Sequence, residues 1–81
     1  MTYRLYLDPT VHAHYASLPG DGRRDLAVCL LDACADPIAH STAYGHDDGI
    51  MRTLAHGNIA IAVLLNHDEK TLTVVQIGYA G

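Results

Sequence analysis

Hydrophobic and polar residues alternate with a period of two towards the end of the chain. Ile59, Ile61, Val63 and Leu65 interleave with Asn58, Ala60, Ala62 and Leu64. Strand side chains point alternately to opposite faces, so the first set makes a bulky apolar face and the second a mostly small one. Residues 71–79 form a further strand, with Thr73, Val75 and Ile77 predicted on one face and Val74, Gln76 and Gly78 on the other. The polar stretch 66–70 between them has the length of a hairpin loop. Segment 50–55 is predicted as the preceding strand, turning at His56, Gly57 and Asn58, where glycine and asparagine tolerate a left-handed backbone. These segments read as antiparallel strands with one well-buried face.

The pattern changes nearer the start. Residues 2–7 alternate Tyr3, Leu5 and Leu7 against Arg4 and Tyr6, which predicts a short first strand. Asp8 then suits an N-cap and Pro9 the first helical turn. A helix follows to about residue 18, with Val11, Tyr15 and Leu18 on one stripe. The run Pro19-Gly20-Asp21-Gly22 is expected to break the chain sharply. A second helix is expected over about 21–35, with Leu26, Cys29, Leu30, Ala33 and Cys34 at helical spacing. It should stop at Asp36-Pro37, because the residue before proline disfavours helix. The polar segment 38–49 reads as a loop. The order is β-α-α-β-β-β: an α+β fold with a helical hairpin on one face of a four-stranded antiparallel sheet. The other face is left open for function.

Composition narrows the classes. The 81 residues fit one domain, and 49% hydrophobic with 17% charged residues argues against disorder. No apolar run reaches the ~18 residues that span a bilayer, and the beginning of the chain lacks signal-peptide architecture. The expectation is a cytoplasmic protein with no membrane partner. Five Lys and Arg against nine Asp and Glu leave a formal charge of −4, which disfavours tight nonspecific nucleic-acid binding. Cys29 and Cys34 fall in the apolar stripe of the second helix and read as small core residues. Five positions apart on one helix they are poorly placed for a disulfide, and no second cysteine pair supports zinc. No cofactor or metal is expected.

This order and length resemble the RelE/ParE toxin superfamily of type II toxin–antitoxin systems. The helix ending ACADP resembles the family's second helix and its acidic-proline stop. MRTLAHGNIAIAV resembles its arginine-leucine strand, glycine turn and following strand, and DEKTLTVVQIGY its last strand. The resemblance covers nearly the whole chain, residues 1–81. It implies ribosome-dependent mRNA cleavage (an endoribonuclease that inhibits translation) or inhibition of DNA gyrase, with an antitoxin protein as partner. RNA cleavage needs a base, an acid and cations for the phosphate. The family places such groups on the open face of the sheet.

Here the chain departs from the family. Arg52 is kept, but Thr53, Ala55, Ala60, Val63 and Gln76 stand where basic or aromatic residues are common. The chain ends Gly78-Tyr79-Ala80-Gly81 in place of a basic pair. The predicted open face carries Thr53, Ala55, Ala60, Ala62, Val74 and Gln76, with no charge. The remaining catalytic candidates are Arg52, His56 and Tyr79. Arg52 either contacts phosphate or pairs with Asp47 or Asp48. His56 is a general acid–base candidate beside a turn, or simply an exposed turn residue. Tyr79 acts on RNA or stacks a base, or anchors the chain end. His46, Asp47 and Asp48 are a weak metal pattern, and His12 and His14 point in different directions on a helix. Two functions follow. One is a toxin-like nuclease acting on RNA at the ribosome. The other is a degenerate fold whose neutral face binds protein, either an antitoxin helix or a second copy in a homodimer.

Overall fold

The computed structural model describes residues 2–43, 45 and 49–80. Strand β1 (Arg4–Leu7) leads into helix α1 (Pro9–Ser17), then α2 (Gly20–Ala35), β2 (Thr42–Ala43), β3 (Met51–His56), β4 (Ile59–Asn66) and β5 (Thr71–Tyr79). The fold class is the expected α+β. The sheet itself differs from the expected antiparallel four. It has five strands in the order β1-β5-β4-β3-β2, and β1 runs parallel to β5. The two helices between β1 and the later strands carry the chain across, so β1 arrives alongside β5 in the same direction. The extra strand, β2, lies inside the expected loop and pairs Thr42 with Thr53 and Ala43 with Arg52.

Helix α1 begins as its residues dictate: the Asp8 carboxylate accepts the Val11 N–H at 2.8 Å, with Pro9 in the first turn. It packs on β5 through buried Val11 and Leu18, with Tyr15 beside them. The expected four-residue break is shorter, because α2 starts at Gly20 directly after Pro19. Gly22 is therefore helical rather than part of a turn. Helix α2 ends at Asp36, before Pro37. Its stripe of Leu26, Cys29 and Ala33 is buried on the sheet, and both cysteines are free thiols. Burial raises the pKa of both; charges on Asp32 and Asp25 raise that of Cys29 further. Among the described residues no helix is long and apolar enough to cross a membrane.

The core lies between the helices and one face of the sheet. Ile59, Ile61, Val63 and Leu65 of β4 fill it, as the alternation predicted. Strand β5 corrects the prediction. Its buried residues are Leu72, Val74 and Ile77, while Val75 and Gln76 are exposed. Ala62 pairs with Gln76 but its neighbour Val63 pairs with Val74, so Val75 is an extra residue opposite no partner. This β-bulge shifts the alternation by one residue. Val74 consequently belongs to the core and not to the open face.

His67, in the loop between β4 and β5, links Tyr3 before β1 to Gly49 before β3. The Tyr3 hydroxyl and His67 Nδ1 lie 2.6 Å apart, and His67 Nε2 lies 2.6 Å from the Gly49 carbonyl. A carbonyl only accepts, so Nε2 carries a proton and donates to it. Tyr3 also sits edge-on to the His67 ring, with Lys70 above its own ring.

Candidate functional site

Arg52, His56 and Tyr79 all project to the helix side of the sheet. Arg52 and His56 share the parity of buried Leu54 on β3, and His56 approaches Asp25 of α2. Arg52 is buried, with 8% of its surface exposed. Its Nε donates to Ser41 Oγ at 2.8 Å, and a terminal nitrogen donates to the Ser41 carbonyl at 2.9 Å. Ser41 in turn donates to the Pro37 carbonyl. The guanidinium thus ties the segment after α2 to β3. The suggested partners Asp47 and Asp48, and the pattern His46-Asp47-Asp48, lie outside the described residues.

His56 and Tyr79 come to one corner. His56 pairs with Ile59 across the β3–β4 turn, and Ile59 pairs with Tyr79 on its other side. Two strand spacings separate them, roughly 10 Å. Arg52 is four residues further along β3, roughly 13 Å away. The corner is completed by the first turns of α2. Tyr79 Oη lies 3.3 Å from both carboxylate oxygens of Asp21 and donates to them. A Cβ at Gly22 would stand 3.0 Å from the Tyr79 ring, so the absent side chain makes room for the tyrosine. His56 Nε2 is 3.9 Å from Asp25 Oδ1, beyond hydrogen-bond reach, and its side chain is half exposed. Asp25 Oδ2 instead accepts the Asn58 N–H at 3.3 Å.

These contacts set the electrostatics. The pKa of Tyr79 is raised, first by partial desolvation against α2, then by the Asp21 charge and hydrogen bond, and last by Asp25. The phenol is a hydrogen-bond donor here and a poor base. Asp21 and Asp25 were not singled out from the sequence. Their spacing of four places both on one face of α2, which was the available signal.

The open face is formed by Thr53 and Ala55 of β3, Ala60, Ala62 and Leu64 of β4, and Thr73, Gln76 and Gly78 of β5. Among the described residues of these strands no Lys, Arg or His projects there. A shallow depression of about 260 Å³ lies over Thr53, Ala60, Ala62, Gln76 and Gly78. A larger one, about 580 Å³, lies between Leu64, Thr73, Asn66 and Ile50. Leu64 and Ile50 are each more than two-fifths exposed beside it. Among the described residues no cluster of three or more His, Cys, Asp or Glu could hold a metal.

The geometry defines a class first: two helices packed on one face of a mixed five-stranded sheet. Solved structures share it. A chain of the toxin–antitoxin complex RelBE2 from Mycobacterium tuberculosis matches 99% of this chain and 100% of its own, with a TM-score of 0.85 at 10% identity. A double arginine-to-alanine mutant of the E. coli toxin RelE in the free state matches 99% of this chain and 85% of its own, with a TM-score of 0.78 at 15% identity. The archaeal RelE-RelB complex from Pyrococcus horikoshii OT3 contributes a chain matched over 100% of this one and 98% of its own, with a TM-score of 0.75 at 17% identity. No protein-family model matches the sequence, and neither does any curated protein. At these identities the likeness establishes the fold alone: the chain has the RelE fold.

Proposed function

We propose that this chain is the toxin component of a type II toxin–antitoxin pair, a RelE-like protein whose partner is an antitoxin. The observation that carries this reading is the full-length likeness to RelE and to chains of two toxin–antitoxin complexes. As an endoribonuclease acting at the ribosome it would use the corner of His56 and Tyr79, with Arg52 fixing the segment over β3. His56 is the half-exposed group free to move a proton, and Tyr79 offers a hydroxyl donor. The test is cell-free translation with purified protein, read by protein yield and by primer extension on the mRNA. Ribosome-dependent cuts, lost in His56→Ala and reduced in Tyr79→Phe while both variants stay folded, are the expected result. Unchanged cutting by the double variant would refute this assignment of residues.

One observation favours a second reading, in which the fold is kept for protein binding. The described open face of β3, β4 and β5 carries no cation to hold a phosphate, and Arg52 is already engaged with Ser41. Small apolar residues suit a docked helix better than an RNA backbone. Intact mRNA and full yield, together with antitoxin binding that Ala60→Arg abolishes, would select this reading over the nuclease.

A further inference from the structure

The sheet has two edges. One ends in β2, only two residues long. The other is β1: the end of α2 covers its outer side at Tyr3, whose N–H donates to the Cys34 carbonyl at 2.8 Å, and among the described residues no strand pairs with the rest of it. Leu5 is 39% exposed there and Tyr6 49%.

The hydrogen-bond parity of β1 follows from its one neighbour. Arg4 aligns with Thr71 of β5, and its N–H donates to the Lys70 carbonyl at 2.8 Å. A strand residue directs its N–H and C=O to the same side, and successive residues alternate. Arg4 and Tyr6 therefore bond towards β5, while Leu5 and Leu7 direct theirs outward. The faces follow in the same way. Leu5 aligns with Leu72 and Leu7 with Val74, both core residues, so these leucines lie on the helix side. Arg4 and Tyr6 align with Thr71 and Thr73 on the open side. Asp8 keeps an extended backbone (φ −74°, ψ 164°) and prolongs the strand line on the side of Arg4 and Tyr6.

We propose that a second copy of this chain adds to the edge of β1 in antiparallel register, with Leu5 opposite Leu7, Tyr6 opposite Tyr6 and Arg4 opposite Asp8. This register uses the part of the edge that is free, Leu5 to Leu7; at Tyr3 the outward N–H already donates to the Cys34 carbonyl at 2.8 Å, and the pairing stops there, where the opposing residue is Pro9 with no N–H to add. Leu5 and Leu7, the residues with outward backbone groups, form the hydrogen-bonded pairs. Tyr6 falls on the dyad in a non-hydrogen-bonded pair, where side chains approach most closely. Arg4 meets the partner's carboxylate at Asp8 twice, by symmetry. Among the described residues no carboxylate of its own chain pairs with Arg4, and Asp8 spends only one oxygen on the Val11 N–H. The leucines continue the apolar side of the sheet across the joint, and the result is one continuous sheet of two copies. The pairing is independent of whether the chain is a toxin.

Register is tested by disulfide trapping. In this alignment the two Tyr6 Cα atoms stand roughly 4.5 Å apart, within disulfide range, whereas the two Arg4 Cα atoms are separated by roughly 13 Å. Tyr6→Cys under mild oxidation should give covalent dimer roughly tenfold faster than Arg4→Cys. The wild type, with its own Cys29 and Cys34, serves as blank. Sedimentation of the wild type should show dimer growing with concentration. Leu5→Pro should abolish it, since that N–H points outward and is not used by β5. Arg4→Glu should weaken the dimer roughly tenfold. The proposal is overturned by a wild type monomeric at every concentration, by trapping through Arg4→Cys as fast as through Tyr6→Cys, or by a dimer indifferent to Arg4→Glu. Should Leu5→Pro fail to fold, the cysteine pair still decides, because Arg4 and Tyr6 are both exposed.

Discussion

Replacing Gly57 by alanine tests the corner that carries His56. Gly57 and Asn58 form a two-residue connection between His56 and Ile59. Gly57 has φ +58°, and Asn58 is not among the positive-φ residues. A glycine with positive φ in the first of two central positions is the type II′ pattern. Alanine there meets two separate penalties. Holding a residue with a Cβ in the left-handed region costs about 1–2 kcal/mol. The new Cβ would also stand 2.6 Å from Asp25 Cγ and in collision with its Oδ2. The Asp25 side chain is 26% exposed and can swing away. Doing so gives up the Asn58 N–H bond, about 1 kcal/mol. Gly57→Ala should therefore cost about 2–3 kcal/mol, a drop of roughly 10–20 °C in Tm for a domain of this size. Gly49 separates the two terms. Its φ is +72° and among the described residues nothing lies within 4 Å of its would-be Cβ, so Gly49→Ala should show the backbone term alone. Urea titration of wild type, Gly49→Ala, Gly57→Ala, Asp25→Ala and the Gly57–Asp25 double variant closes the cycle. The double variant should cost about 1 kcal/mol less than the sum of its singles. Strict additivity, or equal costs for Gly49→Ala and Gly57→Ala, would refute the Asp25 contact.

The bulge makes neighbouring valines unequal: Val74→Ala removes fully buried methyls and should cost about 2–3 kcal/mol, whereas Val75→Ala should stay within about 0.5 kcal/mol by urea titration. Tyr79 should ionise above the ordinary tyrosine value of about 10, read as the difference in tyrosinate absorbance between wild type and Tyr79→Phe. Because its folded pKa is raised, the native state holds the proton longer. That contribution to stability is complete below the unfolded pKa and is lost as pH rises through the folded one, and Asp21→Asn should shrink it. Both thiols should react slowly with a disulfide reagent at neutral pH, and Cys29, 2% exposed, should react only on unfolding.

Much of this fold was legible because local signals agreed with packing. Asp8 and Pro9 mark the start of α1, Pro37 the stop of α2, and the β4 alternation survives into the core unchanged. Three features were not legible, each for a physical reason. Gly20 and Gly22 read as chain breakers, yet helix propensity is a weak prior that packing overrides. At position 22 a glycine sits inside the helix because the Tyr79 ring occupies the space where a side chain would stand. The parallel partner of β1 depends on where the crossover returns the chain, which no periodicity encodes. The bulge at Val75 is invisible because Val74, Val75 and Ile77 are apolar in either register, so the pattern does not distinguish one from the other.

The same one-residue shift bears on function. Without it, Val74 would face outward and the neutral face would be more apolar than it is. With it, Val74 is buried and the face carries Thr73, Gln76 and Gly78 from β5. Over β3, β4 and β5 the expected absence of charge is a matter of side-chain identity and survives the change of register; among the described strands the cation on that side of the sheet is Arg4, on the edge strand β1. The alternation that puts Thr53 and Ala55 on the open face puts Arg52 and His56 opposite, against the helices; what it did not reveal is which helix residues meet them there. Arg52, His56 and Tyr79 are on the helix face, and α2 supplies Asp21 and Asp25 against two of them. Two carboxylates beside a tyrosine and a histidine repel a phosphate backbone rather than draw it in. RNA at this corner would therefore need cations brought by the ribosome or by a partner, whereas a protein ligand on the neutral face would need none. That asymmetry makes the translation assay informative in both directions. Cutting would require the cationic surroundings of the ribosome, and its absence would leave the open face as the working surface of the fold.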